Sequence, residues 1–170
     1  PKAEIVDYAF TGGDLYEELL LGPAYSIAAV LKQTGLTLAD IDVFEIHEAF
    51  AGQVLANLKA LASDEWCKKQ LGLDKAIGVI PMEKINRWGG SLAIGHPFGA
   101  TGGRLITMAA NRLHKEGGKY ALLAACAAGA HGHAMIIKKY ETTEQKVKNV
   151  AKNVIAAAEE KLEDLKEKIQ

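Results

Sequence analysis

Cysteine and proline are scarce in this chain, and it has neither long apolar runs nor an excess of one charge. Its two cysteines, Cys67 and Cys126, stand far apart in dissimilar contexts. That is a poor disulfide framework and suits a reducing compartment. No stretch of about 18 uninterrupted apolar residues occurs, so no transmembrane helix is expected. Twenty basic residues offset 21 acidic ones, a net charge of -1. This balance gives the chain no electrostatic pull towards nucleic acid or an anionic membrane. The opening PKAEIVDYAF has neither the apolar core of a secretory signal nor an arginine-rich transit pattern. A soluble chain is expected, with any targeting peptide already removed.

An apolar fraction of 49% over 170 residues is enough for one domain with a sizeable core. Alternation in AEIVDYAF predicts a first strand, and LLGPAYSIAAVLKQTG predicts a helix with Pro23 in its first turn and Gly35 at its end. Val43–His47 reads as a buried strand running straight into a helix that carries Val54, Leu55, Leu58 and Leu61. His47 and Glu48 then fall at the carboxyl edge of a sheet, where open α/β folds bind ligands. DEWCKKQLG is expected to be a short helix and IGVIP an extended segment. ATGGRLITMAANRLHKEGG is a helix closed by Gly117 and Gly118, and two strands follow, YALLAAC and HAMIIKKY, joined by AAGAHG. The fold class implied is α/β, with one mixed five-stranded sheet and helices on both faces.

Residues 141–170 differ in kind, lacking glycine and proline. Val147, Ala151, Val154, Ala158, Leu162, Leu165 and Ile169 recur three or four apart, the stripe of an amphipathic helix, and Thr142 with Gln145 can form a capping box. The expected division is a domain over 1–140 and a helical extension over 141–170, packed on its own domain rather than in a coiled coil.

The stretch GGSLAIGHPFGATGGRL sets His96 in a glycine-rich loop ahead of a helix. Backbone N–H groups there could cradle a phosphate, but the Gly-Lys-Ser/Thr ending of a P-loop is missing, which argues against a nucleotide site. Cys126, His131 and His133 lack the four-ligand spacing of structural zinc, so no metal is expected. A turn histidine, a buried thiol and a helix-capping His47 are the bland readings of His96, Cys126 and His47.

Together, HEAFAGQVLANLKAL, GGSLAIGHPFGATGGRL and YALLAACAAGAHGHAMII resemble, in order and spacing, the three signature blocks of the carboxyl-terminal half of thiolases. The segment between the first two is similar to the fatty-acid-oxidation branch of that family, and the likeness spans residues 1–140. It implies a thiolase-like layered fold and the cleavage of a 3-ketoacyl-CoA by coenzyme A through an acyl-enzyme. Coenzyme A enters as a substrate, and no cofactor is implied.

By the same resemblance His96 takes the proton of the nucleophilic cysteine, a task suited to imidazole, whose titration lies near working pH. Cys126 is similar to the family's second cysteine, which moves a proton to and from the α-carbon of the departing acetyl-CoA. His47 stands where many thiolases have an asparagine that holds an oxyanion-hole water. Glu48, Ala128 and Gly129 fall in or behind the oxyanion holes, while Ala49 and Phe50 line the pantetheine and acyl channel.

Two departures stand out. The family's last block commonly carries glycines where this chain has Ala130 and His131, so a positive φ at Ala130 would cost about 1 kcal/mol or more. The half of a thiolase that bears the nucleophilic cysteine has no counterpart here, and Cys67, in the charged segment EWCKKQ, does not replace it. Alone, the chain is expected to be inactive. The readings left open are the carboxyl-terminal half of a split 3-ketoacyl-CoA thiolase, completed by an amino-terminal half on another chain; an inactive structural subunit of a larger assembly; and a truncated or engineered piece. Each predicts a dimer or larger assembly. The resemblance places the protein in the mitochondrial matrix, or in the cytoplasm of a bacterial source.

Overall fold

The computed structural model describes residues 1–167. Its elements run β1 (Ala3–Gly12), α1 (Gly22–Thr34), β2 (Val43–Ile46), α2 (Ala51–Leu61), α3 (Asp64–Trp66), α4 (Ser91–Ile94), α5 (Thr101–Glu116), β3 (Tyr120–Ala127), β4 (His131–Lys139) and α6 (Thr143–Glu167). Residues 1–139 form one compact unit, and a second unit begins at Tyr140.

The sheet has four strands in the order β1-β4-β3-β2, with β2 parallel to β3 and the other pairs antiparallel. A mixed sheet is as expected, but among the described residues it has four strands and not five. Ile77–Pro81 forms no ladder: Gly78 turns through φ 131 and gives its N–H to Leu61. The edge of β2 is met instead by a single bridge to Ile85 and by the Asn86 side chain, which accepts the Ile46 N–H at 2.8 Å and donates to the Ile46 carbonyl at 2.7 Å. One side-chain amide supplies there what a neighbouring strand would have supplied.

Each face of the sheet has its own core. On one, Phe44, Ile46, Leu122 and Ile136 pack with Ile27 and Val30 of α1 and Leu61 of α2. On the other, Val43, Leu123 and Ile137 meet Leu105, Ala109 and Leu113 of α5. Tyr120–Ala124 of β3 is covered on both sides, which explains its unbroken apolar run. Close approach of α1 to β4 depends on Gly22 and Gly132, since a Cβ on Gly132 would lie 2.0 Å from the Gly22 carbonyl oxygen.

Two boundaries differ from the sequence reading. β2 ends at Ile46 and α2 starts at Ala51, so four residues, His47 to Phe50, form a distinct corner instead of a direct strand-to-helix passage. The β3–β4 turn is also tighter, with Gly129 at φ 87 and Ala130 at φ 57. Ala130 does carry the left-handed strain foreseen for it, held there by the Gly13 N–H bonded to its carbonyl. Within the second unit Thr142 and Gln145 form the expected capping box, the Gln145 N–H on the Thr142 hydroxyl and the Thr142 N–H on Gln145 Oε1. Lys168, Ile169 and Gln170 lie outside the described residues.

Candidate active site

The carboxyl ends of the parallel pair β2 and β3 lie side by side, because Ile46 pairs with Ala124 and the His47 N–H continues the ladder to the Ala124 carbonyl at 2.8 Å. His47 therefore leaves the sheet beside Cys126. The loop from Gly95 into α5 comes over the same edge and adds His96. Around these three residues lies a cleft of about 380 Å³, walled by Leu20, Ala49, Phe98 and Thr101.

Within it the His47 and His96 rings face each other at 4.1 Å between centroids. His96 Nδ1 is 2.7 Å from the Thr101 hydroxyl, and that hydroxyl's single proton goes to the Pro97 carbonyl at 3.2 Å. Nδ1 is thereby the donor to Thr101, and Nε2 of His96 is left as the basic nitrogen. Thr101, at the first turn of α5, sets the tautomer.

His47 is buried, and burial, the facing His96 ring and the Arg104 charge together lower its pKa, with Glu48 opposing. It is a neutral imidazole at neutral pH. Cys126 is 9% exposed, and burial pushes its thiol up from the ordinary cysteine range. A protonated thiol is a proton donor rather than a nucleophile. Behind Cys126 a second cavity of about 300 Å³ opens against Phe10, His131 and His133.

The remaining sequence candidates fall at different distances from the cleft. Ala49 and Ala128 line it, whereas Gly129 sits in the turn beyond and Phe50, exposed, borders a neighbouring hollow with Gln53. Glu48 is turned away: its carboxylate accepts Asn86 Nδ2 at 2.6 Å and the Leu92 N–H at 3.0 Å. It pins the loop that carries His96 to the end of β2. Gly90 is what lets that carboxylate in, since a Cβ there would meet it at 2.2 Å. Cys67 is fully buried against the Ala60 and Leu61 carbonyls and has no access to the cleft.

Four residues that order the site were not singled out from the sequence: Asn86, Ser91, Thr101 and Arg104. A threonine at the first position of a helix, five residues after a loop histidine, was a usable signal for one of them. The others act across separations of up to 44 residues, and nothing local marks them.

A mixed α/β sheet whose parallel strands end in a His-His-Cys cleft agrees with the family to which the chain belongs, the thiolases. Residues 1–139 match the model of the thiolase C-terminal domain. Among curated relatives it is 57% identical over 140 residues to the trifunctional enzyme subunit beta, mitochondrial, of Bos taurus, covering 82% of this chain and 30% of that protein. It is 59% identical over 140 residues to a probable 3-ketoacyl-CoA thiolase of Caenorhabditis elegans, with 82% and 31% covered. A crystal structure of human mitochondrial 3-ketoacyl-CoA thiolase superposes with a TM-score of 0.66 at 36% identity, covering 82% of this chain and 31% of that one. The chain thus spans about a third of the length of the relatives it matches.

Proposed function

We propose that this chain is the carboxyl-terminal catalytic half of a 3-ketoacyl-CoA thiolase of fatty-acid β-oxidation, completed by an amino-terminal half on a separate polypeptide that supplies the nucleophilic cysteine. The observation that carries this reading is the convergence of His47, His96 and Cys126 on one cleft. The need for a nucleophile from outside follows from the two cysteines present: Cys67 is sealed in the core, and Cys126 is held as a protonated thiol. Mitochondrial relatives favour the mitochondrial matrix as its compartment.

In the forward reaction His96 Nε2 takes the proton of the incoming cysteine, whose thiolate adds to the 3-keto carbon of the substrate. His47 faces the oxygen on which negative charge develops and donates to it, directly or through a water. Cleavage of the bond between C2 and C3 leaves the acyl group on the cysteine and a carbanion on the departing acetyl-CoA, which takes the Cys126 proton. The Cys126 thiolate then accepts the proton of the incoming coenzyme A thiol, and attack of the resulting thiolate on the acyl-enzyme releases the shortened acyl-CoA and the nucleophilic cysteine as a thiolate, which takes its proton back from His96. Every proton given is returned within one cycle.

The test is single-turnover acyl labelling of the completed enzyme with a 3-ketoacyl-CoA. His96→Ala should lower the rate of acyl-enzyme formation by about 10² to 10⁴-fold, the usual contribution of a general base. Cys126→Ala mainly blocks protonation of the carbanion, so it should fail to turn over a 3-ketoacyl-CoA while labelling by a simple acyl-CoA, which needs no such proton, persists. Undiminished labelling in His96→Ala refutes the role given to His96, and turnover by this chain purified without any partner refutes the need for a second half.

A further inference from the structure

Arg104 is the charged group nearest His47 whose purpose the reaction above leaves unexplained. It projects from the first turns of α5, and among the described residues it forms no ion pair with a carboxylate. Its guanidinium donates instead to the Gly95 carbonyl and, at 2.7 Å, to the Ser91 hydroxyl oxygen. Ser91, itself buried at the start of α4, lies 2.8 Å from His47 Nδ1.

The direction of each bond follows from the donor inventory. A guanidinium only donates, so the Ser91 oxygen accepts from Arg104, and the one hydroxyl proton remains to be placed. His47 Nδ1 is the acceptor the structure offers it. An Nδ1 that accepts forces the neutral ring to carry its proton on Nε2. That second nitrogen has no protein partner and is not among the buried unpartnered atoms, so it opens on the cleft that the ring lines. We propose that Arg104, acting through the Ser91 hydroxyl, is a positioning residue that holds His47 as the neutral Nε2–H tautomer, so that the ring presents the cleft with a proton donor and not a second base.

The groups facing His47 agree with this. From α5 comes the Arg104 cation and from the α4–α5 loop the His96 ring, both opposing a proton on His47. Glu48, the neighbouring acid, has its two oxygens occupied by Asn86 and the Leu92 N–H, and Cys126 on β3 is a neutral thiol. Two histidines 4.1 Å apart are thereby given opposite duties: Thr101 leaves His96 basic at Nε2, and Arg104 with Ser91 leaves His47 donating at Nε2. The donor's use in catalysis rests on the thiolase reading, whereas the tautomer itself does not.

The experiment is two-bond ¹H–¹⁵N correlation on the full ¹⁵N-histidine-labelled chain at neutral pH, with His47 assigned by His47→Asn. Wild type should show protonated Nε2 and bare Nδ1 at His47. Ser91→Ala and Arg104→Leu should each lower the tautomer ratio about tenfold, the worth of roughly one hydrogen bond, and Ser91→Thr, which keeps the hydroxyl, should restore it. An Nδ1–H tautomer at His47 in wild type overturns the relay, whatever the Ser91 and Arg104 variants do. An unchanged ratio in folded Ser91→Ala or Arg104→Leu overturns it too. No acyl transfer is measured, so failure of the thiolase reading would leave these results standing, and failure of the relay would leave that reading intact.

Discussion

His47 and His133 share a condition that stability can report. Burial lowers both pKa values, and at His47 the facing His96 ring and Arg104 lower it further against the pull of Glu48. In the unfolded chain both imidazoles titrate near the ordinary histidine value of about 6.5. Below that pH the unfolded state binds protons that the folded state refuses, so stability is full above it and is lost as pH falls through the window down to the depressed folded values. The urea midpoint of the full chain should therefore drop between about pH 7.5 and about pH 5.5, a range chosen above most carboxylate titration. His47→Asn should reduce that drop while leaving the His133 share. A midpoint that holds or rises on acidification would contradict the neutral state assigned to His47. The residues that meet in the cleft, His47, His96 and Cys126, were legible in the sequence because they stand in motifs; the contacts of the two rings with Thr101 and Ser91, and of Ser91 with Arg104, were not, because they are made only after folding.

At the scale of elements, the joint most exposed to test is Arg112, which lies wholly buried within α5. Its guanidinium bonds Glu45 of β2 at 2.7 Å, Glu116 at 3.0 Å and the Phe44 and Lys84 carbonyls, tying the helix to the strand and to the turn that precedes the site loop. Burial works against the Arg112 charge, but its bonds to Glu116 and Glu45 outweigh this and raise its pKa. For Glu45, burial pushes the carboxyl up against the Arg112 bond, and its second oxygen has no partner. Such a pair gives little net stability, yet breaking it leaves a buried charge. Arg112→Met should destabilise by about 3–5 kcal/mol, and adding Glu45→Leu should recover part of that loss. A double variant less stable than Arg112→Met, by urea unfolding, would refute the account. Sequence pattern revealed α1, α2, α5 and the four strands, although β1 buries Ala9 alone and β2 is buried at every position. It overcounted at Ile77–Pro81, where Ile80 is buried, Val79 is exposed and the backbone joins no strand of the sheet. An apolar run alone does not make a strand.

For the whole molecule, the question is what covers the surface around the cleft. Phe10, Tyr16, Phe50 and Phe98 are exposed, Tyr16 by 97% and Phe98 by 87%, and Ile5, Tyr8, Leu15, Leu19, Leu92 and Ile94 are exposed with them. Scattered apolar side chains are ordinary on a monomer, but aromatic rings concentrated on an edge strand and on the loops that frame a site mark a surface built to be buried. The edge strand β1 carries Ile5, Tyr8 and Phe10, and among the described residues no strand pairs with its outer edge. Edge strands of that length and composition invite pairing with another chain. Under the function proposed above, the amino-terminal half of a thiolase would meet both needs, bringing a complementary layer together with the nucleophilic cysteine. Mixing the two should yield a stable complex detected by light scattering, with thiolytic activity appearing on mixing and in neither part alone. Without that half the chain should self-associate at micromolar concentration. A stable 18.2 kDa monomer that neither self-associates nor binds an amino-terminal thiolase half would refute the split architecture and leave the cleft to serve a rewired single domain.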